Sequence, residues 1–135
     1  MRRPSFLVLL CLLSLPVSLP ASLAAHAAVP ARNFVVFFQE WSAALDPSAQ
    51  RVISRAAAWS KAHSDAALTV SGAADRSGSG KANQLLSELR AQVVTDRLAA
   101  DGVPASGVRQ LGLGAVGYAL TSQMSRRVVI SVAQP

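Results

Sequence analysis

The residues of this chain that could do chemistry gather in one stretch. Asp75 opens the segment Asp75-Arg76-Ser77-Gly78-Ser79-Gly80, whose serines and glycines read as a loop. Behind it, the run from about Lys81 to Ala100 is patterned as a helix, with Ser79 as N-cap and Asp101-Gly102 as its stop. Ala82, Leu85, Leu86, Leu89, Val93 and Leu98 form the expected apolar face. At roughly 100° per residue, Asn83, Ser87 and Arg90 fall within about 60° of one another, a polar stripe bordering that face. An acid at a strand end and an arginine on the next helix could jointly hold a zwitterion. The carboxylate would take an ammonium, and the guanidinium fork would take a carboxylate through two parallel hydrogen bonds. Spacing alone leaves the alternative open that Asp75 and Arg90 merely pair with each other or with solvent.

The flanking elements must position this stripe. Asn33 to Phe38, rich in β-formers and preceded by Pro30, reads as a buried strand. Asp46-Pro47 starts a helix, and Ala49, Val52, Ile53, Ala56 and Trp59 recur at helical spacing until about His63. Ala67 to Ser71 reads as a second strand closed by Gly72. Val108 to Leu111 is a short strand, and Arg127 to Val132 a stronger one near the end. Strands alternating with helices at this length predict an α+β domain.

Charge and leader bound the function. The 135 residues carry a formal charge of +6, of which Arg2 and Arg3 contribute two. Those arginines, the apolar run from Phe6 to Val17 and the small residues around Ala25-His26-Ala27 have the order of a secretory signal peptide. The expected division is therefore a signal peptide at 1–27 and one compact domain at 28–135. The apolar run is short and broken by Pro16 and Pro20, so a permanent membrane helix is not expected after cleavage. Cys11, the only cysteine, lies inside the leader without the small residue before it that lipid attachment wants. Its removal excludes disulfides and thiolate metal sites from the mature domain. The remainder is mildly basic with no basic run, which argues against nucleic acid and leaves an anionic envelope polymer open.

Other patterns carry no chemistry. Gly112-Leu-Gly114-Ala-Val-Gly117 fits a dinucleotide fingerprint, but no acidic residue follows Asp101 and too little chain remains for a crossover. Gly80-Lys81 lacks the first glycine and the Ser/Thr of a phosphate loop. His63, Ser64 and Asp65 are sequence neighbours at a helix end, not a nucleophile geometry. No catalytic group, metal site or cofactor is expected. Trp41 and Trp59 read as core or staple residues before sugar platforms.

Gly72-Ala-Ala-Asp75-Arg-Ser-Gly78, followed by Asn83-Gln-Leu-Leu-Ser87-Glu-Leu-Arg90-Ala91-Gln-Val93, resembles the signature G-x-T-D-x-x-G and N-x-x-L-S-x-x-R-A-x-x-V of the OmpA-like family, the C-terminal domain of outer-membrane protein A. The resemblance extends to Phe37-Phe38 with Leu45-Asp46-Pro47, to Gly102-Val103 with Gly112-Leu-Gly114, and to Ser125-Arg126-Arg127-Val128-Val-Ile130, similar to the family's N-R-R-V-x-I ending. It implies a two-layer sandwich, with one mixed sheet of about four strands and two main helices on one face. It implies noncovalent peptidoglycan binding in the periplasm of a Gram-negative bacterium, near the outer membrane or cell wall. The diaminopimelate of the stem peptide would be held by Asp75 and Arg90, with Asn83 and Arg126 as further contacts.

The chain departs from the family at Ala73 and Ala74, where polar residues are usual, at Ser125 for the terminal asparagine, and at Gln39 and Trp41 where acidic residues follow the first strand. These losses support an alternative, a degenerate domain acting as a protein-protein interaction module in an envelope complex. The leader is tested directly. Intact-mass measurement on exported protein should find a start at or near Ala28, and a chain retaining Met1 in the membrane fraction would overturn the cleavage.

Overall fold

The computed structural model describes residues 31–116 and 121–133. The expected signal peptide and its cleavage point therefore lie outside the described residues. Within them runs β1 (Arg32–Phe37), α1 (Pro47–Ala62), β2 (Ala67–Ala74), α2 (Gly80–Ala100), β3 (Val108–Ala115), a one-turn α3 (Ser122–Ser125) and β4 (Arg127–Ala133). The strands form one mixed sheet in the order β1-β4-β2-β3, with β4 antiparallel to both neighbours and β2 parallel to β3. The parallel pair requires a crossover, which α2 supplies. This is the expected α+β architecture.

Local chemistry sets the helix ends. Asp46 Oδ1 accepts the Ala49 N–H at 2.6 Å ahead of Pro47, and Ser79 Oγ accepts the Ala82 N–H at 3.1 Å. Each satisfies one of the four amides a helix start leaves unpaired. Beyond α2, Gly102 takes the positive φ of 93° that ends the helix. Asp101 beside it ties the helices together: its carboxylate accepts from Ser54 on α1 and Arg97 on α2, and its carbonyl accepts from Lys61.

The core lies between one sheet face and the two helices. Val36, Leu68, Val70, Val128, Ile130 and Val132 alternate along their strands to face Ala49, Ile53, Ala56 and Ala57 of α1 and Ala91, Val94 and Leu98 of α2. The first strand is not buried on both faces as its composition suggested. It is a sheet edge, with Val35 and Phe37 exposed while Val36 and Phe38 are buried. An edge strand over a two-layer core has one wet face, so a run of β-formers there need not be interior.

Two expectations around α2 are corrected. Gly72 does not close β2, which continues to Ala74, and Leu85 and Leu89 do not face the core but stand 57 % and 51 % exposed. One cause underlies both. A Cβ on Gly72 would collide with the Ser87 carbonyl and stand 3.1 Å from the Ala91 nitrogen, and a Cβ on Gly112 of β3 would stand 3.0 Å from the Glu88 nitrogen. Two missing side chains thus let the helix backbone settle onto the sheet. The seam of α2 is accordingly Asn83, Ser87, Arg90, Ala91, Val94 and Leu98, all buried and at three- and four-residue spacing. Ser87 seals it: its hydroxyl donates to the Gln84 carbonyl at 2.7 Å and accepts from the Gly114 N–H at 2.8 Å. β3 in turn runs past Leu111 to Ala115, so the first two dinucleotide-like glycines, Gly112 and Gly114, lie within a strand, and Gly117 falls outside the described residues.

Gly72→Ala should therefore destabilise by about 2 kcal/mol or more through overpacking, whereas Gly107→Ala, with open space around it, should change stability by no more than about 0.5 kcal/mol. Urea unfolding of the two variants measures the contrast; equal midpoints would refute the close approach.

Candidate functional site

β2 ends where the chemistry begins. Its register against β3 shifts between Gly72 and Ala74, and Asp75 follows as the first loop residue. The loop folds back at once: the Ser77 N–H donates to Asp75 Oδ1 at 2.9 Å, and the Ser77 hydroxyl donates to the same oxygen. The other oxygen, Oδ2, accepts from Arg126 Nη1 at 3.0 Å. Arg126 sits between α3 and β4, where its Nη2 donates to Gln123 Oε1 at 2.6 Å and its Nε lies 3.4 Å from the Phe38 carbonyl.

The pair is nearly desolvated, with side-chain exposures of 10 % for Asp75 and 15 % for Arg126. Burial pushes the Asp75 carboxyl up, but the two Ser77 hydrogen bonds and the Arg126 charge outweigh it and hold the pKa below the ordinary carboxylate value. Asp75 is consequently ionised at neutral pH. A carboxylate has about four acceptor positions and a guanidinium five donors. After the bonds above, Oδ2 and both terminal Arg126 nitrogens still have capacity.

Arg90 is not Asp75's partner across a solvent-open cleft. It has no exposed surface at all. Its Nε donates to the Ser42 carbonyl at 2.8 Å, Nη1 to Ala73 at 3.0 Å and Nη2 to Gln39 at 2.9 Å, and its guanidinium carbon lies 5.3 Å from the centre of the Phe38 ring. Burial pulls its pKa down and the Asp75 carboxylate opposes that, while Arg126 adds to the fall. The physical reason for the changed role is the seam of α2. Once Gly72 admits the helix at Ser87 and Ala91, position 90 turns inward toward the ends of β1 and β2, where the carbonyls of Gln39, Ser42 and Ala73 come within its reach.

Asn83 is likewise buried, at 2 % exposure, and its Oδ1 is the one buried side-chain acceptor without a partner among the described residues. It lies on the first turn of α2, bonded through its N–H to the Ser79 carbonyl. Such an orphan typically costs about 1–3 kcal/mol unless something donates to it. The structure thus joins Asp75 to Arg126, puts Asn83 on the adjoining turn and sets Arg90 beneath. Ala73 and Ala74 are both buried, so the polar positions lost here are interior ones.

Depressions of about 760 Å³ and 500 Å³ lie elsewhere, the first lined by Arg51, Arg55 and Arg97 and the second by Arg32, Phe34 and Trp59. None of the four expected site residues lines either. Charge, not concavity, therefore marks the site. Among the described residues no cluster of His, Cys, Asp and Glu could hold a metal ion.

Arg90→Lys should lower stability by about 3 kcal/mol or more, because one ammonium cannot reach three carbonyls in a plane, and denaturant unfolding measures it. Asp75 gives a pH test. Its folded pKa lies below the unfolded value near 3.9, so its contribution is present above that pH and lost as pH falls through the folded pKa. The stability gap between wild type and Asp75→Asn should be constant from about pH 5 upward and narrow as pH falls below about 4; a gap that does not narrow at all as pH falls below about 4 would contradict the assignment.

Comparison with known proteins now places the chain. A peptidoglycan-associated lipoprotein of Agrobacterium fabrum is 35% identical over 79 residues, covering 58% of this chain and 45% of that protein. A peptidoglycan-binding protein, ArfA, of Mycobacterium bovis is 37% identical over 81 residues, 60% of this chain and 25% of that one. The chain thus spans less than half the length of these curated relatives. Among solved structures, the OmpA-like domain of FopA1 from Francisella tularensis superposes with a TM-score of 0.66 at 25% identity, covering 78% of this chain and 73% of that one. The peptidoglycan-associated lipoprotein of Burkholderia pseudomallei gives 0.65 at 24%, covering 75% and 90%, and shows the same fold. The model of the OmpA family matches residues 37–127, which spans every element from the end of β1 to the start of β4 and contains Asp75, Asn83, Arg90 and Arg126, and the chain belongs to that family.

Proposed function

We propose that this chain binds peptidoglycan noncovalently after export to the periplasm with cleavage near Ala27, and that it takes the diaminopimelate of the stem peptide at Asp75. The observation that carries this reading is the desolvated yet ionised Asp75–Arg126 pair. Diaminopimelate ends in an ammonium and a carboxylate on one carbon. Asp75 Oδ2 accepts the ammonium and the free Arg126 donors take the carboxylate, so a zwitterion completes a charge pair already laid out for it. Asn83 Oδ1 supplies a further acceptor for an N–H of the ligand. Arg90, the signature arginine, acts in this reading from beneath. It fixes the three carbonyls around the site and adds positive potential, its contact with the ligand limited by its complete burial.

The names of two relatives, a peptidoglycan-associated lipoprotein and a peptidoglycan-binding protein, support peptidoglycan as the polymer bound. No helix among the described residues is long and apolar enough to cross a membrane. A second reading, a module working through protein contacts in an envelope complex, draws support from the exposed Leu85 and Leu89 on the outer face of α2.

Sedimentation with purified diaminopimelate-type peptidoglycan separates the two. Asp75→Ala and Arg126→Ala should each abolish co-sedimentation, since removing one partner of a desolvated charged contact costs about 2–5 kcal/mol. Lys61→Ala, exposed and remote from the pair, should bind as wild type. Equal sedimentation of all four proteins with common release as salt rises would mean generic charge attraction and would favour the module.

A further inference from the structure

The two tryptophans read alike in sequence, and the structure separates them. Trp59 is half-buried on α1 and stacks on His63 with ring centroids 3.8 Å apart. Trp41 is 52 % exposed, and its φ of 51° makes it the one described non-glycine residue in the left-handed region. An L-residue there is strained, and the strain persists only where neighbours impose it. Here they do. The Ser42 N–H donates to the Gln39 carbonyl at 3.2 Å, closing a short turn around Trp41, and Arg90 clamps that turn by donating to the carbonyls of both Gln39 and Ser42.

The turn delivers the indole to the Asp75 loop. The outer edge of its six-membered ring abuts Gly78, where a Cβ would stand 2.9 Å from Cζ2 and closer still to Cη2. Gly78 is itself at a φ of 85°. The fold therefore holds a large apolar ring by its edge in a strained conformation and leaves half of its surface in water.

We propose that Trp41 is a sugar-stacking platform at the rim of the Asp75–Arg126 site, taking the apolar C–H face of an N-acetylhexosamine of the glycan whose stem peptide reaches the charged pair. The inference rests on the peptidoglycan reading above and extends it from the peptide to the sugar. Chemistry divides the ligand between the two parts: the ion pair suits the charged diamino acid, and the neutral indole suits an uncharged ring with C–H groups on one face. The spacing also fits. Gly78 is three residues beyond Asp75, a stretch of chain that reaches at most about 10 Å, and a stem-peptide residue or two covers the same span.

The test uses the full chain carrying Trp59→Phe, so that Trp41 is its sole tryptophan. Two probes are titrated, a disaccharide bearing the stem peptide and the same peptide without sugar. The disaccharide-peptide should change Trp41 emission and bind more tightly than the peptide alone. Trp41→Gly removes the ring while glycine tolerates the backbone angle, so it should keep the circular dichroism spectrum and unfolding midpoint. It should weaken the disaccharide-peptide about tenfold and leave affinity for the bare peptide unchanged. Equal weakening for both probes would assign the ring to the peptide and overturn the sugar platform, as would no weakening for either. Binding of the disaccharide-peptide that needs Trp41 while the bare peptide fails to bind would uphold the platform and sink the Asp75 reading. Failure of wild type to bind either probe would sink both.

Discussion

The contact on which the rest of this fold depends is the settling of α2 onto β2 and β3 at Gly72 and Gly112. With no Cβ at these positions, the Ser87 carbonyl and the Ala91 and Glu88 nitrogens lie where side chains would otherwise stand. That approach sets the rotation of the helix about its axis. It turns Asn83, Ser87, Arg90 and Ala91 inward and leaves Leu85 and Leu89 in water. The apolar half of the seam, Val94 and Leu98, fills the ordinary core; in the polar half Ser87 and Arg90 are committed to specific partners, and Asn83 Oδ1 is left without one. Burying a polar group costs free energy unless it is bonded, so each inward polar residue has a structural consequence.

Arg90 has the largest consequence. Its guanidinium gathers carbonyls from the turn after β1, at Gln39 and Ser42, and from the end of β2, at Ala73. Those are the strand ends from which Trp41 and Asp75 project. One planar cation thus coordinates the backbone beneath both parts of the candidate site, and its positive charge favours the ionised form of Asp75 above it. The arginine that closes the ion pair with Asp75 comes from the neighbouring strand of the sheet, just ahead of β4. The ion pair and the turn beside it are therefore built from three separate stretches of chain that meet where β1 and β2 end and β4 begins.

The residues over which the chain matches the OmpA family, 37–127, contain the whole of this arrangement. Ala73 and Ala74 lie in the interior, so losing polar side chains there changes the lining of β2 without touching the Asp75–Arg126 pair. Trp41 sets a large aromatic ring against Gly78, on the loop that follows Asp75.

The sequence by itself determined what short-range chemistry controls. Asp46-Pro47 and Ser79 start helices because a side-chain oxygen caps amides three residues on, and Gly102 stops one because it takes a positive φ. The strand from Arg127 to Val132 was equally legible, as were the position of Asp75 in a loop after β2 and the family signature around it. Tertiary structure alone decided which face of α2 is buried, because leucines and small polar residues both recur at helical spacing and only the glycines of two other strands choose between them. The missed signal was there, in Gly72 and Gly112 facing the small residues Ser87 and Ala91, but it joins positions that no local pattern connects. The partner of Asp75 was decided in the same way. Arg90 is close in sequence and on the expected stripe, yet the bonded cation is Arg126, 51 positions away, because the sheet order brings the start of β4 against the end of β2 and the helix rotation has already turned Arg90 to the carbonyls below.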